Sequence, residues 1–248
     1  AQVGDTESTG FCNVTGGSRT TFATGMAVSQ ACEDVIAECK KRAAMTWGVD
    51  ADQVEWEDGR AVPGPGVNAD VKPLSLADLA GSTAKTGGPI QGRASVNAQG
   101  AGASFSLNFA DLRVDPETGK VDVLSYTAVQ DAGKAIHPAY VEGQMQGGAV
   151  QGIGWALNEE YVYNDAGVME NAGFLDYRIP VASDLPMIST EIVEVPNPSH
   201  PYGVRGVGET PIVAPLAVVT NAVSRALDHR MTTLPLSPPN IVAALEDN

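Results

Sequence analysis

The amino-acid sequence predicts an α+β fold, with long helices packed on mixed or antiparallel sheets in one or two subdomains. Apolar residues recur at helical spacing over 22–47, and a second helical stretch covers about 139–161. Two β-rich segments, 103–114 and 121–129, lie between these helices. A length of 248 residues suits one large or two modest domains. We expect any boundary between subdomains in the polar, glycine-rich stretch 82–102.

The first unit along the chain is a glycine loop, 15–21 (TGGSRTT), followed by the first long helix. Free backbone N–H groups and hydroxyls in front of a helix bind anions such as phosphate or pyrophosphate. The alternative is a Ser/Thr cap at the helix N-terminus. The helix has an apolar face and, opposite, a Glu38–Arg42 pair. The apolar face contains Val28, Ala31, Cys32, Val35, Cys39 and Ala43.

Turn residues predict the elements that follow. Asp58-Gly59 joins the two halves of a hairpin over 54–62. A short helix begins near Ser75 and ends at a glycine, over 75–81. Residues 115–120 (DPETGK) connect the two β-rich segments, because Asp, Pro and Gly favour turns.

The second long helix contains five glycines, each costing about 1 kcal/mol relative to alanine. Close packing against another helix explains two or three of them. Together with three glutamines, they indicate a helix that passes against something bulky and polar. Short strands are expected near 161–163, 174–179 and 188–195, a last strand at 231–236, and a terminal helix ending near 245.

A third glycine-bearing segment, 203–209 (GVRGVGE), ends on the carboxylate of Glu209 just before an apolar helical stretch to about 227. Glycines let a backbone approach a ligand closely. Thr210 or Ala214 is the expected N-cap, with a proline following either one. The alternative interpretation of Glu209 is a carboxylate that caps this helix.

Composition excludes several kinds of function. A formal net charge of −15 argues against nucleic acid, whose recognition needs clustered Lys and Arg. The sequence contains no unbroken run of about 18 apolar residues, so no membrane span is predicted. The odd cysteine count (Cys12, Cys32, Cys39) predicts neither a disulfide framework nor a zinc site. The three histidines are scattered without metal-ligand spacing: His137, His200 and His229.

Three segments, 15–21, 141–148 (VEGQMQGG) and 203–209, resemble in order and separation the C-terminal part of the molybdopterin-binding large subunit of the xanthine dehydrogenase/aldehyde oxidoreductase/carbon monoxide dehydrogenase family, the molybdenum hydroxylases. Residues 131–133, 174–177 and 233–238 add to the match. The resemblance covers essentially the whole chain. It implies that residues 1–248 are the C-terminal portion of a molybdopterin-binding domain.

The resemblance also implies roles for individual residues. Glu209 corresponds to the general base beside the metal, and Gln144 to a glutamine that hydrogen-bonds the cofactor. The cofactor is molybdenum with molybdopterin or its cytosine dinucleotide form. Gly17 is expected closest to the metal, without supplying a side-chain ligand. The segment that contacts the pterin corresponds to Gly16, Gly17, Ser18, Arg19 and Thr20.

For the whole protein, the resemblance implies insertion of water-derived oxygen into a C–H bond of an aldehyde or N-heterocycle. Electrons then pass to iron–sulfur clusters and FAD on other chains. The expected partners are the rest of the molybdenum-binding subunit, an iron–sulfur subunit and possibly an FAD subunit, so the chain is active only with them. The expected compartment is the cytoplasm, with the periplasm left open. The alternatives are a non-catalytic scaffold or assembly subunit that keeps the fold, and a CO-oxidising member.

Overall fold

A computed structural model of the chain describes residues 5–7, 10–11, 14–68, 70–99, 102–200 and 202–246. The chain forms two compact units, one of Ala23–Ala98 and a larger one of Ala1–Phe22 with Gln99–Asn248. The described residues contain five α-helices and two three-stranded sheets. The predicted α+β class is therefore confirmed.

The smaller unit packs two helices against an antiparallel sheet. The Asp58-Gly59 turn has positive φ at both residues (47° and 76°), as a tight hairpin requires, and this confirms the predicted turn. The hydrophobic core of this unit includes Cys39, Val54 and Leu79. Its elements in order are α1 (Gly25–Trp47), β1 (Val54–Glu57), β2 (Arg60–Pro63), β3 (Leu74–Ser75) and α2 (Leu76–Thr86).

Two details of this unit differ from the sequence prediction. Only the C-terminal half of α1 contributes to the core, while Val28 is 55% exposed and Cys32 is exposed. α2 continues past Gly81 to Thr86, because the left-handed residue that ends it is Gly87 (φ 118°). The Glu38–Arg42 pair is confirmed at 2.6 Å. Cys12 lies outside the described residues.

The larger unit is built on a mixed sheet. β4 (Ser106–Val114) and β5 (Val121–Asp131) form an antiparallel pair, and β6 (Ser189–Val193) runs parallel to β5. Helices α3 (Pro138–Leu157) and α4 (Thr210–Leu227) pack on each other, α4 also covers β4, and α5 (Pro238–Glu246) ends the unit. The shared core includes Tyr126, Met145, Ile153, Val219, Val223 and Leu236.

Close packing explains three of the five glycines in α3. A Cβ on Gly148 would lie 2.6 Å from the ring of Pro211, and one on Gly152 would overlap the carbonyl oxygen of Ile212. Gly154 is similarly pressed against the segment that follows the helix. The other two glycines face open space. Helix α3 therefore uses its glycines to bring α4 close.

Three of the predicted strands do not form. Between 161 and 179 the described residues contain one isolated bridge, Tyr163 to Met169. Residues 174–176 form a turn, which is closed by the hydrogen bond from Tyr177 N to the carbonyl oxygen of Gly173. Residues 231–236 are irregular, and Pro235 offers no N–H for a strand ladder. Of the four strands predicted after α3, only the one at 188–195 forms, as β6.

Among the described residues, α4 alone is long and apolar enough to cross a membrane, judged by length and composition only. The sequence predicts no such span because it contains no unbroken run of about 18 apolar residues. Its buried side, with Val219 and Val223 fully buried, packs against α3 and β4. The apolar character of this side thus has partners within the protein.

Candidate functional site

The loop 203–209 leads into α4 and places Glu209 beside the first glycine loop. The backbone N–H of Gly17 donates to Glu209 Oε2 over 3.1 Å, although the two residues are 192 positions apart in the chain. Glu209 occupies the N-cap position of α4, but its side chain makes no capping hydrogen bond. Glu209 therefore lies at the start of α4 without a side-chain capping hydrogen bond, and the expectation of Thr210 or Ala214 as N-cap is wrong.

The Gly17–Ser18 pair forms a sharp turn. Both residues have positive φ, 61° and 56°, and Arg19 N donates to Gly16 O over 3.1 Å. Ser18 Oγ accepts a hydrogen bond from Val207 N over 3.0 Å, so it ties this turn to the loop that carries Glu209. A π-helical turn, Thr20–Thr24, separates Ser18 from α1. The N-cap of α1 is Thr24, whose side chain makes no capping hydrogen bond, so Ser18 serves the contact with Val207 instead.

Helix α3 brings Gln144 to the same place. The helix begins at Pro138, where His137 Nδ1 accepts a hydrogen bond from Tyr140 N. Gln144 lies on its exposed side, and its Nε2 is 3.4 Å from the position that a Cβ on Gly208 would occupy. A side chain at position 208 would therefore press on this amide. Three separate segments of the larger unit meet around Glu209.

The remaining predicted residues lie along the first loop rather than against the carboxylate. Gly16 is exposed, and a Cβ there would meet nothing within 4 Å. Thr20 Oγ1 donates to Thr15 Oγ1 over 3.4 Å. Arg19 is half-exposed. Within the described part of the chain, no hydrogen bond joins Arg19 or Thr20 to Glu209.

These groups suit an organic, anionic cofactor better than a bare metal ion. The exposed groups include the Gln144 amide and hydroxyls beside the open backbone at Gly16, and such groups bind phosphate and pterin-like ligands by hydrogen bonds. Within the described residues, no three His, Cys, Asp or Glu side chains are grouped as a metal site. The donors around Glu209 fit a metal that is carried by its own organic ligand.

Sequence reasoning missed the residues that hold the Glu209 loop from behind. Gln130, 1% exposed, donates from Nε2 to the carbonyl oxygen of Gly206 over 3.0 Å. His200 is buried, with Nδ1 accepting from Tyr202 N and Nε2 contacting the carbonyl oxygen of Phe22 at 2.8 Å. A glutamine at an inward-facing position of a strand was the available signal for Gln130.

Arg205 lies in the middle of the Glu209 loop, but its guanidinium is already engaged. It forms an ion pair with Asp131 at 3.2 Å and donates to the carbonyl oxygens of Val195 (2.9 Å) and Ala103 (2.7 Å). Only 13% of the Arg205 side chain is exposed. This cation stabilises the loop and is not offered to a ligand.

A separate cavity of about 620 Å³ lies at the other end of α3. Phe174, Leu175, Arg178 and Pro180 are among the residues that line it, and none of the predicted site residues does. Cavity size therefore does not locate the site around Glu209, which is an open, exposed arrangement. Convergence of hydrogen-bonding groups is the better guide here.

Comparisons with known proteins agree with this geometry. Residues 1–186 match the molybdopterin cofactor-binding domain family. The chain is 36% identical over 172 residues to the xanthine dehydrogenase molybdenum-binding subunit of Escherichia coli O157:H7, covering 68% of this chain and 23% of that protein.

Two solved structures share the fold at similar identity. The Cu,Mo-CO dehydrogenase in its carbon monoxide-reduced state superimposes with a TM-score of 0.81 at 26% identity, over 98% of this chain and 31% of that one. Quinoline 2-oxidoreductase from Pseudomonas putida 86 gives 0.77 at 27% identity, over 93% and 30%.

The chain thus spans between about a quarter and a third of the length of these proteins. The family match covers most of this chain and includes the first glycine loop and Gln144. The resemblance to this family is confirmed, and the chain belongs to the molybdopterin cofactor-binding domain family of the molybdenum hydroxylases.

Proposed function

We propose that the chain is part of a molybdopterin-dependent hydroxylase in which Glu209 acts as general base. The observation that carries this proposal is the 3.1 Å hydrogen bond from Gly17 N to Glu209 Oε2. It joins two distant glycine loops and leaves a carboxylate exposed between them. An exposed carboxylate held at a fixed place among open glycines can take a proton from a bound reactant.

The proposed division of labour follows from the two oxygens of Glu209. Oε2 is occupied by the Gly17 N–H, which orients the carboxylate. Oε1 is then the oxygen that accepts the proton as a water-derived oxygen is inserted into the substrate C–H bond. Molybdenum with its pterin, when bound, supplies the two-electron redox chemistry. The chain's own contribution is to orient the cofactor and to hold the proton.

The same proposal assigns the cofactor cradle to the first glycine loop and α3. Gly16 and Gly17 allow close approach of molybdopterin or its cytosine dinucleotide, with Gly17 nearest the metal. Ser18, Arg19 and Thr20 contribute hydroxyl, guanidinium and backbone donors, and the exposed Gln144 amide binds from the opposite side. Such donors match an anionic, hydrogen-bonding ligand.

The assembly, substrate and compartment are also proposals. The bacterial relative is by name a subunit, which supports partner chains: the rest of the molybdenum-binding subunit, an iron–sulfur subunit and possibly an FAD subunit. Xanthine and quinoline in the relatives' names support an N-heterocycle, with an aldehyde as the other candidate. The TM-score of 0.81 to a CO dehydrogenase supports a CO-oxidising member as second candidate. The proposed compartment is the cytoplasm, with the periplasm as the alternative.

The decisive variant is Glu209→Gln in the native complex. It keeps the shape of the side chain and an oxygen that can accept from Gly17 N, but it removes the base. We expect turnover to fall by about 10²- to 10⁴-fold with molybdenum and pterin content unchanged. Glu117→Gln, at an exposed turn of the β4–β5 hairpin, is the matched control and should retain full activity. Glu209→Gln activity within a few-fold of wild type would remove Glu209 from the mechanism.

A non-catalytic scaffold is separated from an enzyme by composition. Metal and pterin analysis of the natively purified complex, with mass spectrometry of its chains, should give about one molybdenum per complex together with the proposed partners. A complex without molybdenum or pterin would favour the scaffold. A CO-oxidising member would instead turn over carbon monoxide in place of aldehydes and N-heterocycles.

A further inference from the structure

We propose that Gln130 and the Asp131–Arg205 ion pair are positioning residues that set the place of the Glu209 carboxylate. They touch neither the carboxylate nor the first glycine loop. Gln130 contacts the backbone of the loop 203–209, and Asp131 contacts the Arg205 side chain of the same loop. This inference rests on the proposed function only for its catalytic consequence, because the positioning itself can be measured without activity.

The last two residues of β5, Gln130 and Asp131, both contact the loop 203–209, although their side chains lie on opposite faces of the strand. Successive residues of a strand point to opposite faces, so Gln130 and Asp131 diverge. Gln130 points into the core and donates to Gly206 O over 3.0 Å. Asp131 points the other way and pairs with Arg205 at 3.2 Å. Two neighbouring residues of one strand thereby hold two neighbouring residues of one loop.

Burial makes the Gln130 contact hard to replace. Gln130 is 1% exposed, and its Oε1 has no partner among the described residues. A buried amide with an unpaired oxygen costs stability that an apolar side chain of similar size would avoid. Gln130 Nε2 donates to Ser104 Oγ over 3.4 Å and, over the shorter distance of 3.0 Å, to the carbonyl oxygen of Gly206, three residues before Glu209. The burial of Gln130 thus costs stability, but it positions the loop 203–209.

The ion pair adds a second constraint of a different kind. Asp131 uses Oδ2 for Arg205, while its Oδ1 accepts hydrogen bonds from Gly133 N (2.9 Å) and Val195 N (3.1 Å). Both side chains of the pair are nearly buried, at 13% and 12% exposed. Because both oxygens of Asp131 accept from donors, the carboxylate is held in place. Its ion pair with Arg205 therefore constrains the position of the loop 203–209.

The Gly17 N–H reports on the result, because its acceptor is Glu209 Oε2. Amide hydrogen exchange requires this hydrogen bond to open. If Gln130 positions the carboxylate, Gln130→Met in the native complex should speed exchange in a peptide covering 14–22 by about fivefold, the effect of losing the hydrogen bond to Gly206. Methionine keeps the length of the side chain and removes the donor.

Gln146→Met is the matched control. Gln146 is also a partly buried glutamine whose Nε2 donates to a backbone carbonyl, that of Ile188, at 3.2 Å. Its loss should loosen the start of β6 and leave exchange at 14–22 unchanged. Equal acceleration by both variants, or none by Gln130→Met, overturns the proposal.

Arg205→Lys keeps the test possible if Gln130→Met does not fold. Lysine retains the charge but cannot make the three contacts of the guanidinium, so exchange at 14–22 should rise here too. Steady-state kinetics separates the two proposals. Faster exchange with unchanged kcat means that Glu209 is positioned by these residues but is not the base. Unchanged exchange in a folded Arg205→Lys variant overturns the positioning role directly.

Discussion

The two loops that meet at Glu209 are both rich in glycine, yet the fold holds them very differently. The loop 203–209 is tied to the sheet at consecutive residues: Val204 pairs with Gly133, Arg205 N donates to Ala132 O over 3.1 Å, and Gly206 O is held by Gln130. Backbone, ion pair and buried amide all act on one short segment. The backbone of this loop is therefore held up to Gly206 by the rest of the larger unit.

The loop 15–21 has fewer such ties. Ser18 accepts from Val207 N, and His200 contacts the carbonyl oxygen of Phe22 just beyond the loop. Gly16 and Gly17 are exposed, and Gly17 depends on Glu209 for its hydrogen bond. The difference shows that the loop 203–209 is held by more contacts to the rest of the larger unit than the exposed glycines of the loop 15–21.

The largest expected effect is that of Gly133→Ala, which disturbs the contact between Gly133 and the loop 203–209. Gly133 has φ of 67°, and a Cβ there would overlap the carbonyl oxygen of Gly203 and lie 2.9 Å from Arg205 N. Since both partners are backbone, nothing can move aside cheaply. We expect the free energy of unfolding to fall by about 3 kcal/mol or more, measured by denaturant unfolding.

Gly167→Ala separates backbone strain from overlap. Gly167 has a similar φ of 75°, but a Cβ there meets nothing within 4 Å. It should cost only about 1 kcal/mol, the price of a left-handed alanine. Equal losses in the two variants would show that the contact between Gly133 and the Glu209 loop contributes nothing.

A smaller effect is expected from Asp131→Asn, which removes the charge facing Arg205 and keeps the size of the side chain. The pair is nearly buried, so the remaining cation is poorly solvated, and we expect a loss of about 2 kcal/mol. Asp122→Asn is the control, because its partners Arg113 and Lys120 are exposed and screened by solvent. Thermal unfolding that ranks Asp122→Asn as the more damaging variant would contradict this account.

The sequence predicts the loop 203–209 better than it predicts the residues that hold this loop in place. Helix α1 can be predicted because its apolar spacing is local, and the family resemblance implies that Gly17, Gln144 and Glu209 belong to one site. Strands at 174–179 and 231–236 were wrong, because alternation in a short segment does not show whether a neighbouring strand exists. The Gln130–Gly206 bond spans 76 residues, and no local pattern contains it.

The loop 15–21, which makes fewer contacts with the rest of the larger unit, is best examined at Ser18. Ser18→Ala removes the acceptor for Val207 N and keeps the unfavourable φ of 56°, so it should lower stability by about 1 kcal/mol. Ser18→Gly removes the same hydrogen bond and relieves the backbone strain, so its loss should be smaller. Denaturant midpoints of the two variants give the comparison directly. A glycine variant less stable than the alanine variant would mean that φ at this position is not strained.

The smallest expected effect concerns the entrance of the loop 203–209, where Lys134 N donates to Gly203 O over 2.9 Å. Glu194 holds this corner by accepting from Ala135 N (2.7 Å) and pairing with Lys134 (3.0 Å). The Ala135 N–H, and then Lys134, lower the pKa of Glu194 from its ordinary value of 4.5. The unfolded chain therefore binds this proton first as the pH falls.

It follows that the stability from Glu194 is fully present above pH 4.5 and is lost as the pH falls through the lowered pKa. Glu194→Gln keeps an acceptor for Ala135 N but has no charge to lose. Wild type should be slightly more stable than the variant near neutral pH, and the difference should vanish in acid, because protonated Glu194 resembles glutamine. Other carboxylates titrate equally in both proteins, so they cancel in the difference between thermal unfolding midpoints. A difference that stays constant from neutral pH into acid would show that the Glu194 charge does not hold this corner.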